Sequence, residues 1–132
     1  MKKSIVIFFL FATIFPLAQN KIDHTLEKCL NQDNSTAGQR NCIISAQQSW
    51  DKELNKSYTS LNHKLNNTAK KELLEAQRNW ISFRDSEFKL INKYYLDVKK
   101  GTIFQVISEN KKLQIIKERA LQLKEYDEQF DY

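Results

Sequence analysis

The residues that could do chemistry are few, and their spacing is helical. Gln77 and Arg84 interrupt an otherwise apolar or aromatic series, Leu73, Gln77, Trp80, Arg84, Phe88, Ile91 and Tyr95, spaced by 4, 3, 4, 4, 3 and 4 positions. At roughly 100° per residue all seven share one narrow face of a helix. A guanidinium on a buried face costs several kcal/mol unless it is paired. This face therefore holds either a hydrogen-bond network that fixes helix register or a surface where Arg84 meets an anionic group. The planar fork of the guanidinium suits both. Asp85, at the edge of the stripe, and Asp51 with Asn55, one turn apart in the preceding helical segment, are the candidate partners.

Constellations that catalysis would need do not occur. There is no glycine-rich phosphate loop, no His-Glu-x-x-His and no nucleophile elbow. His24 and His63 each lack a second ligand at helical spacing, so neither is read as a metal ligand. Glu72 and Glu75 sit among lysines, with nothing to drive their pKa values apart as acid–base work requires. No catalytic residue, metal site or cofactor is predicted, and the chain is read as a non-enzyme. Asn34, Asn55 and Asn66 fit the N-x-[ST] pattern, which an asparagine-rich chain meets by chance.

The elements that carry these residues follow a leader pattern. Lys2 and Lys3 precede an apolar run from Ile5 to Phe15 that is far shorter than the ~20 residues of a membrane span. A basic start, a short apolar core and the small residue Ala18 read as a signal peptide over residues 1–18, leaving a single domain over 19–132 with its core about 22–124. All 16 acids and 19 of the 21 Lys and Arg fall after residue 18, a formal charge of +3. Basic and acidic residues alternate along the helices without a basic stripe, so no nucleic-acid partner is predicted. No stable membrane span remains after processing. Cys29 and Cys42 would sit in an oxidising compartment, where one bridge is the simplest reading and two free thiols the other.

Ile22, Leu26, Cys29 and Leu30 mark a short amphipathic helix, and Asn31 to Gly38 reads as a loop. Ile43, Ala46, Trp50, Leu54, Tyr58, Leu61 and Leu65 then predict one helix from about Gln39 to Asn66. Asn66, Asn67 and Thr68 supply the next N-cap, and a central helix runs from about Ala69 to Lys99. The short connection predicts an antiparallel hairpin, sealed by Trp50 and Tyr58 from one side and Trp80, Phe83 and Phe88 from the other. Lys99, Lys100 and Gly101 end the central helix. A last helix begins near Thr102, with Val106, Leu113, Ile116, Ala120 and Leu123 as its apolar stripe, and Glu125 to Tyr132 is expected to fray. The fold class is all-α: a long antiparallel helical hairpin with a short N-terminal helix and a C-terminal helix packed on it.

The run Cys29, Cys42, Ala46, Trp50-Asp51, Leu54-Asn55, Tyr58 and Leu61, followed by Leu73, Ala76-Gln77, Trp80-Ile81 and Phe83-Arg84-Asp85, resembles the LprI-type lysozyme-inhibitor domain family. The resemblance covers roughly Cys29 to Leu123, most of the chain after the leader, with Arg119 and Leu123 similar to the family's weaker C-terminal pattern. It implies a small exported helical domain of the bacterial envelope. Typical members carry two further cysteines, which here align with Phe88 and Lys111. Their joint loss supports pairing of Cys29 with Cys42.

The function the resemblance implies is a non-enzymatic protein-binding module that inhibits a lysozyme-type muramidase in the periplasm or outside the cell. The alternative is a structural or interaction domain of the envelope, with another envelope protein as partner and no enzyme target. The mild positive charge disfavours long-range capture of a cationic lysozyme. An acidic, aromatic C-terminal patch (Tyr126, Asp127, Glu128, Phe130, Asp131 and Tyr132) offers a local docking surface for one.

Overall fold

The computed structural model describes residues 17–130, with side chains from Lys21 onward. The predicted leader, apart from Leu17 and Ala18, lies outside the described residues. The chain forms α1 (Leu17–Gln32), α2 (Thr36–Lys64), α3 (Asn67–Asn92), a π-helical segment (Lys93–Lys99) and α4 (Thr102–Gln129). No strand occurs among the described residues, so the fold is all-α. No described helix is long and apolar enough to cross a membrane.

Local chemistry sets the breaks. The loop between α1 and α2 is shorter than its composition suggests, because Ser35 caps α2: its Oγ accepts from the Gly38 amide at 2.9 Å. Asp33 supports the turn by accepting from the Ser35 amide at 2.9 Å, and hydrogen bonds from Ser35 hold its carboxyl below the usual carboxylate range. Gly38 leaves room for this carboxyl: a Cβ there would lie 2.1 Å from the Asp33 carboxyl carbon and would push that side chain out of the turn. Asn66 caps α3 as expected, accepting from the Ala69 amide at 3.0 Å. Cys29 and Cys42 form a disulfide with a Cα–Cα distance of 5.8 Å, tying α1 to the start of α2.

The chain turns back between α2 and α3 as expected, but α2 packs along a different helix. The most extensive helix–helix contact joins α2 to α4. These two run parallel: Gln47 meets Glu109 near one end, and Lys64 meets Asp127 near the other. Beyond the turn, where Leu61, Leu65 and Leu73 share the core, α3 runs back antiparallel and packs mainly on α4. The reason lies in the stripes. Leu113, Ile116, Ala120 and Leu123 on α4 are all buried and meet Ile43, Ala46, Trp50, Leu54 and Leu61 of α2 in one core. The buried positions of α3 are only Leu73, Gln77 and Ile91. Apolar burial scales with area, so the two richer stripes face each other.

The aromatic seal is partial. Trp50 is 2% exposed, and Trp80, Phe88 and Tyr58 pack against the core, but Phe83 is 53% exposed on the outer face of α3. Trp50 also anchors three helices. Lys117 Nζ of α4 lies 5.3 Å above its ring and pairs with Asp23 of α1 at 2.7 Å. The C-terminal segment does not fray through Gln129. Tyr126 stacks on Phe130 at 5.1 Å, and Lys64 pairs with Asp127 at 3.0 Å, so the acidic patch is partly neutralised by α2. Its last two residues, Asp131 and Tyr132, lie outside the described residues.

Candidate partner-binding surface

The α3–α4 connection unites three unusual features at one end of the bundle. The central helix reaches Lys99 as expected, but its last seven residues wind as a π-helix. Such winding is rare and concentrates at functional sites. Lys100 then adopts φ 54° and ψ 146°, a region that side chains disfavour, and Gly101 follows at φ 114°. Around this turn Tyr94, Leu96, Val98 and Ile103 are all exposed. Lys93 pairs with Asp97 at 3.1 Å, and Lys99 Nζ sits 5.6 Å from the Tyr94 ring centroid. Lys100 has no ion pair among the described residues. The turn thus presents cations on an apolar base in a fixed backbone shape.

The polar seam takes a different form from the one expected. Gln77 is buried, as its place in the stripe requires. Arg84 is not: its side chain is 27% exposed and pairs with the adjacent, more exposed Asp85 at 2.7 Å. Its guanidinium carbon lies over Trp80, 5.3 Å from the ring centroid. A long side chain that starts on an apolar stripe can still carry its charged head out to water. Asp51 and Asn55 do not join it. Asn55 Nδ2 is exposed and donates back to Asp51, to its carbonyl at 2.9 Å and its carboxylate at 3.2 Å. Leu54 and Trp50 of the same motif are core residues.

The buried arginine is Arg119 of α4. Its Nε donates to Gln77 Oε1 at 3.1 Å, its Nη1 donates to Gln122 Oε1, and its guanidinium carbon lies 6.0 Å from the Trp80 ring centroid. Burial lowers its pKa. A second buried polar cluster centres on Glu109. Its carboxylate accepts from Gln47 Nε2 at 3.0 Å and pairs with Lys112 at 3.4 Å and Arg40 at 3.5 Å. Lys112 Nζ in turn lies 5.8 Å from the Phe88 ring centroid, so the residue facing Phe88 is Lys112 and not Lys111, which is exposed. A signal for Glu109 stands in the sequence. Val106, Glu109, Leu113, Ile116, Ala120 and Leu123 are spaced by 3, 4, 3, 4 and 3, which sets a carboxylate within an apolar stripe.

Among solved structures, an uncharacterized protein from Burkholderia thailandensis is similar, with a TM-score of 0.73 and 31% identity over 81% of this chain and 53% of that one. The chain therefore spans about half the length of that protein. No curated protein matches it. The family model for lysozyme inhibitor LprI matches residues 28–123, from the residue before Cys29 to the end of the α4 core stripe. With most of its length inside that match, the chain belongs to the LprI lysozyme-inhibitor family.

Proposed function

We propose that this chain is exported, through the leader read at residues 1–18, and inhibits a lysozyme-type muramidase by seating the Lys99–Ile103 turn at the enzyme's catalytic cleft. The observation that carries the reading is the family match over residues 28–123. The geometry supports its second half. Glycoside hydrolysis characteristically uses a pair of carboxylates that flank the scissile bond. A turn with Lys99 and Lys100 above exposed Leu96, Val98 and Ile103 is complementary to an acidic, partly apolar cleft. Helices on both sides hold that turn in place, so little conformational entropy is lost on docking. The domain acts by occupying a surface and performs no chemistry of its own.

The formal charge of +3 after the leader works against steering towards a strongly cationic lysozyme. The preferred target is an anionic or neutral muramidase. A turbidity assay of cell-wall lysis, with the folded domain in excess over lysozymes of several classes, tests this. The expected result is slowed lysis with at least one class, and with the less cationic enzymes before the others. Unchanged lysis throughout would instead favour an envelope interaction module without an enzyme target. The exposed Phe83 and Leu90 on the outer face of α3 would then be the natural contact.

A further inference from the structure

At the opposite end of the bundle from the Lys99–Ile103 turn, an apolar groove of about 360 Å³ opens between the end of α2, the start of α3 and the end of α4. Leu61 and Leu65, Ala69 and Leu73, and Tyr126 line it, and so does Arg119. Arg119 is 8% exposed and carries a full charge, yet both of its hydrogen-bond acceptors, Gln77 and Gln122, are neutral. No carboxylate pairs with it among the described residues. Buried charges are ordinarily paired, because desolvation without a counter-charge is costly. A guanidinium has five N–H donors, and the bonds to Gln77 and Gln122 occupy two of them.

We propose that this groove binds an aliphatic monocarboxylate, with the carboxylate on Arg119 and the chain along Leu61, Leu65 and Leu73. The volume lies at the lower end of the range for small-ligand pockets, which suits a short to medium chain. A carboxylate can take two parallel N–H bonds from a guanidinium, and this charge-assisted contact would supply the missing counter-charge. The apolar walls favour a hydrocarbon over a polar acid. Glu72 also lines the groove, but it is exposed, so water screens its repulsion of an anion. Both hydrogen-bonded glutamines hold the guanidinium in place and leave its charge for the ligand.

The test titrates octanoate, below its micelle concentration, into the disulfide-bonded domain by calorimetry, with octanol and octyltrimethylammonium as probes of matched tail. Octanoate should bind at one site, octanol about tenfold or more weakly, and the cation not at all. Arg119→Gln should weaken octanoate by about tenfold or more. Because that variant also disturbs the buried bonds to Gln77 and Gln122, Ala76→Trp provides a second arm: Ala76 is an exposed wall residue, and the indole would fill the groove while leaving Arg119 in place. It should abolish binding at an unchanged melting temperature, and Glu72→Gln should tighten it. Absence of octanoate binding, equal affinity for octanol, or full binding by Ala76→Trp would each overturn the proposal. None of these outcomes bears on muramidase inhibition, which is assigned to the other end of the bundle.

Discussion

Arg119 Nε on α4 donates to Gln77 Oε1 on α3 across 3.1 Å, and both side chains are buried. This bond fixes the register of α3 on the helix that carries most of the core. It also explains why a glutamine occupies the middle of an apolar stripe. Gln77→Leu would keep the volume and remove the acceptor, leaving a buried charged donor unsatisfied. It should cost about 1–3 kcal/mol in denaturant unfolding with an unchanged slope. An unchanged midpoint would mean that Arg119 turns to other partners at no cost.

Glu109 is held by Gln47, Arg40 and Lys112 within otherwise apolar surroundings. Glu109→Leu strands Lys112, itself 9% exposed, and should destabilise the domain by about 3–5 kcal/mol. Replacing both, as Glu109→Leu with Lys112→Met, should recover most of that loss, because the pair is then exchanged for apolar contact. Additive losses in the double variant, measured by thermal unfolding, would show that the two residues are not energetically coupled.

Arg84 lies in the stripe by sequence but pairs only with its exposed neighbour Asp85. Arg84→Ala should therefore cost no more than about 1 kcal/mol, the scale of a surface ion pair and an exposed cation–π contact. Thermal unfolding with a loss of several kcal/mol would place its guanidinium in a buried network after all.

Lys100 holds a backbone conformation natural to glycine, with φ 54°. Strain of this kind costs of order 1–3 kcal/mol. Lys100→Gly should raise the melting temperature while removing a cation from the proposed docking turn, so stability and inhibition should move in opposite directions. A lowered melting temperature would show that the Lys100 side chain stabilises the turn by more than its backbone costs.

Much of the architecture was legible in the sequence, and the limits have physical causes. Period-3.6 stripes give each helix and its buried face, and Asn66 and Gly101 mark the breaks, because caps act locally. Stripes do not name their partners. The short turn at Leu65–Asn66 makes α2 and α3 neighbours in sequence, yet the area of the α4 stripe decides which helix α2 packs along. Ser35 was hidden inside a polar run that reads as a loop, and it starts α2 earlier. For the seam, spacing places Gln77 correctly but cannot tell whether an arginine's head is buried or wet, as Arg84 and Arg119 show. Glu109 stood in plain view within its stripe. The π-helical winding before Lys100 has no signature in the residue types that carry it.

If the Lys99–Ile103 turn is the inhibitory surface, reversing its charge must weaken inhibition without unfolding the domain. Inhibition of cell-wall lysis would be measured for the unmodified domain and for the Lys99→Glu, Lys100→Glu variant, against a muramidase that the unmodified domain slows. Both side chains are exposed, so the variant should melt at the same temperature. The variant should inhibit at least about tenfold more weakly, and it should lose the salt dependence that the unmodified domain shows. Equal inhibition by the two proteins, at equal stability, would place the inhibitory surface elsewhere on the domain.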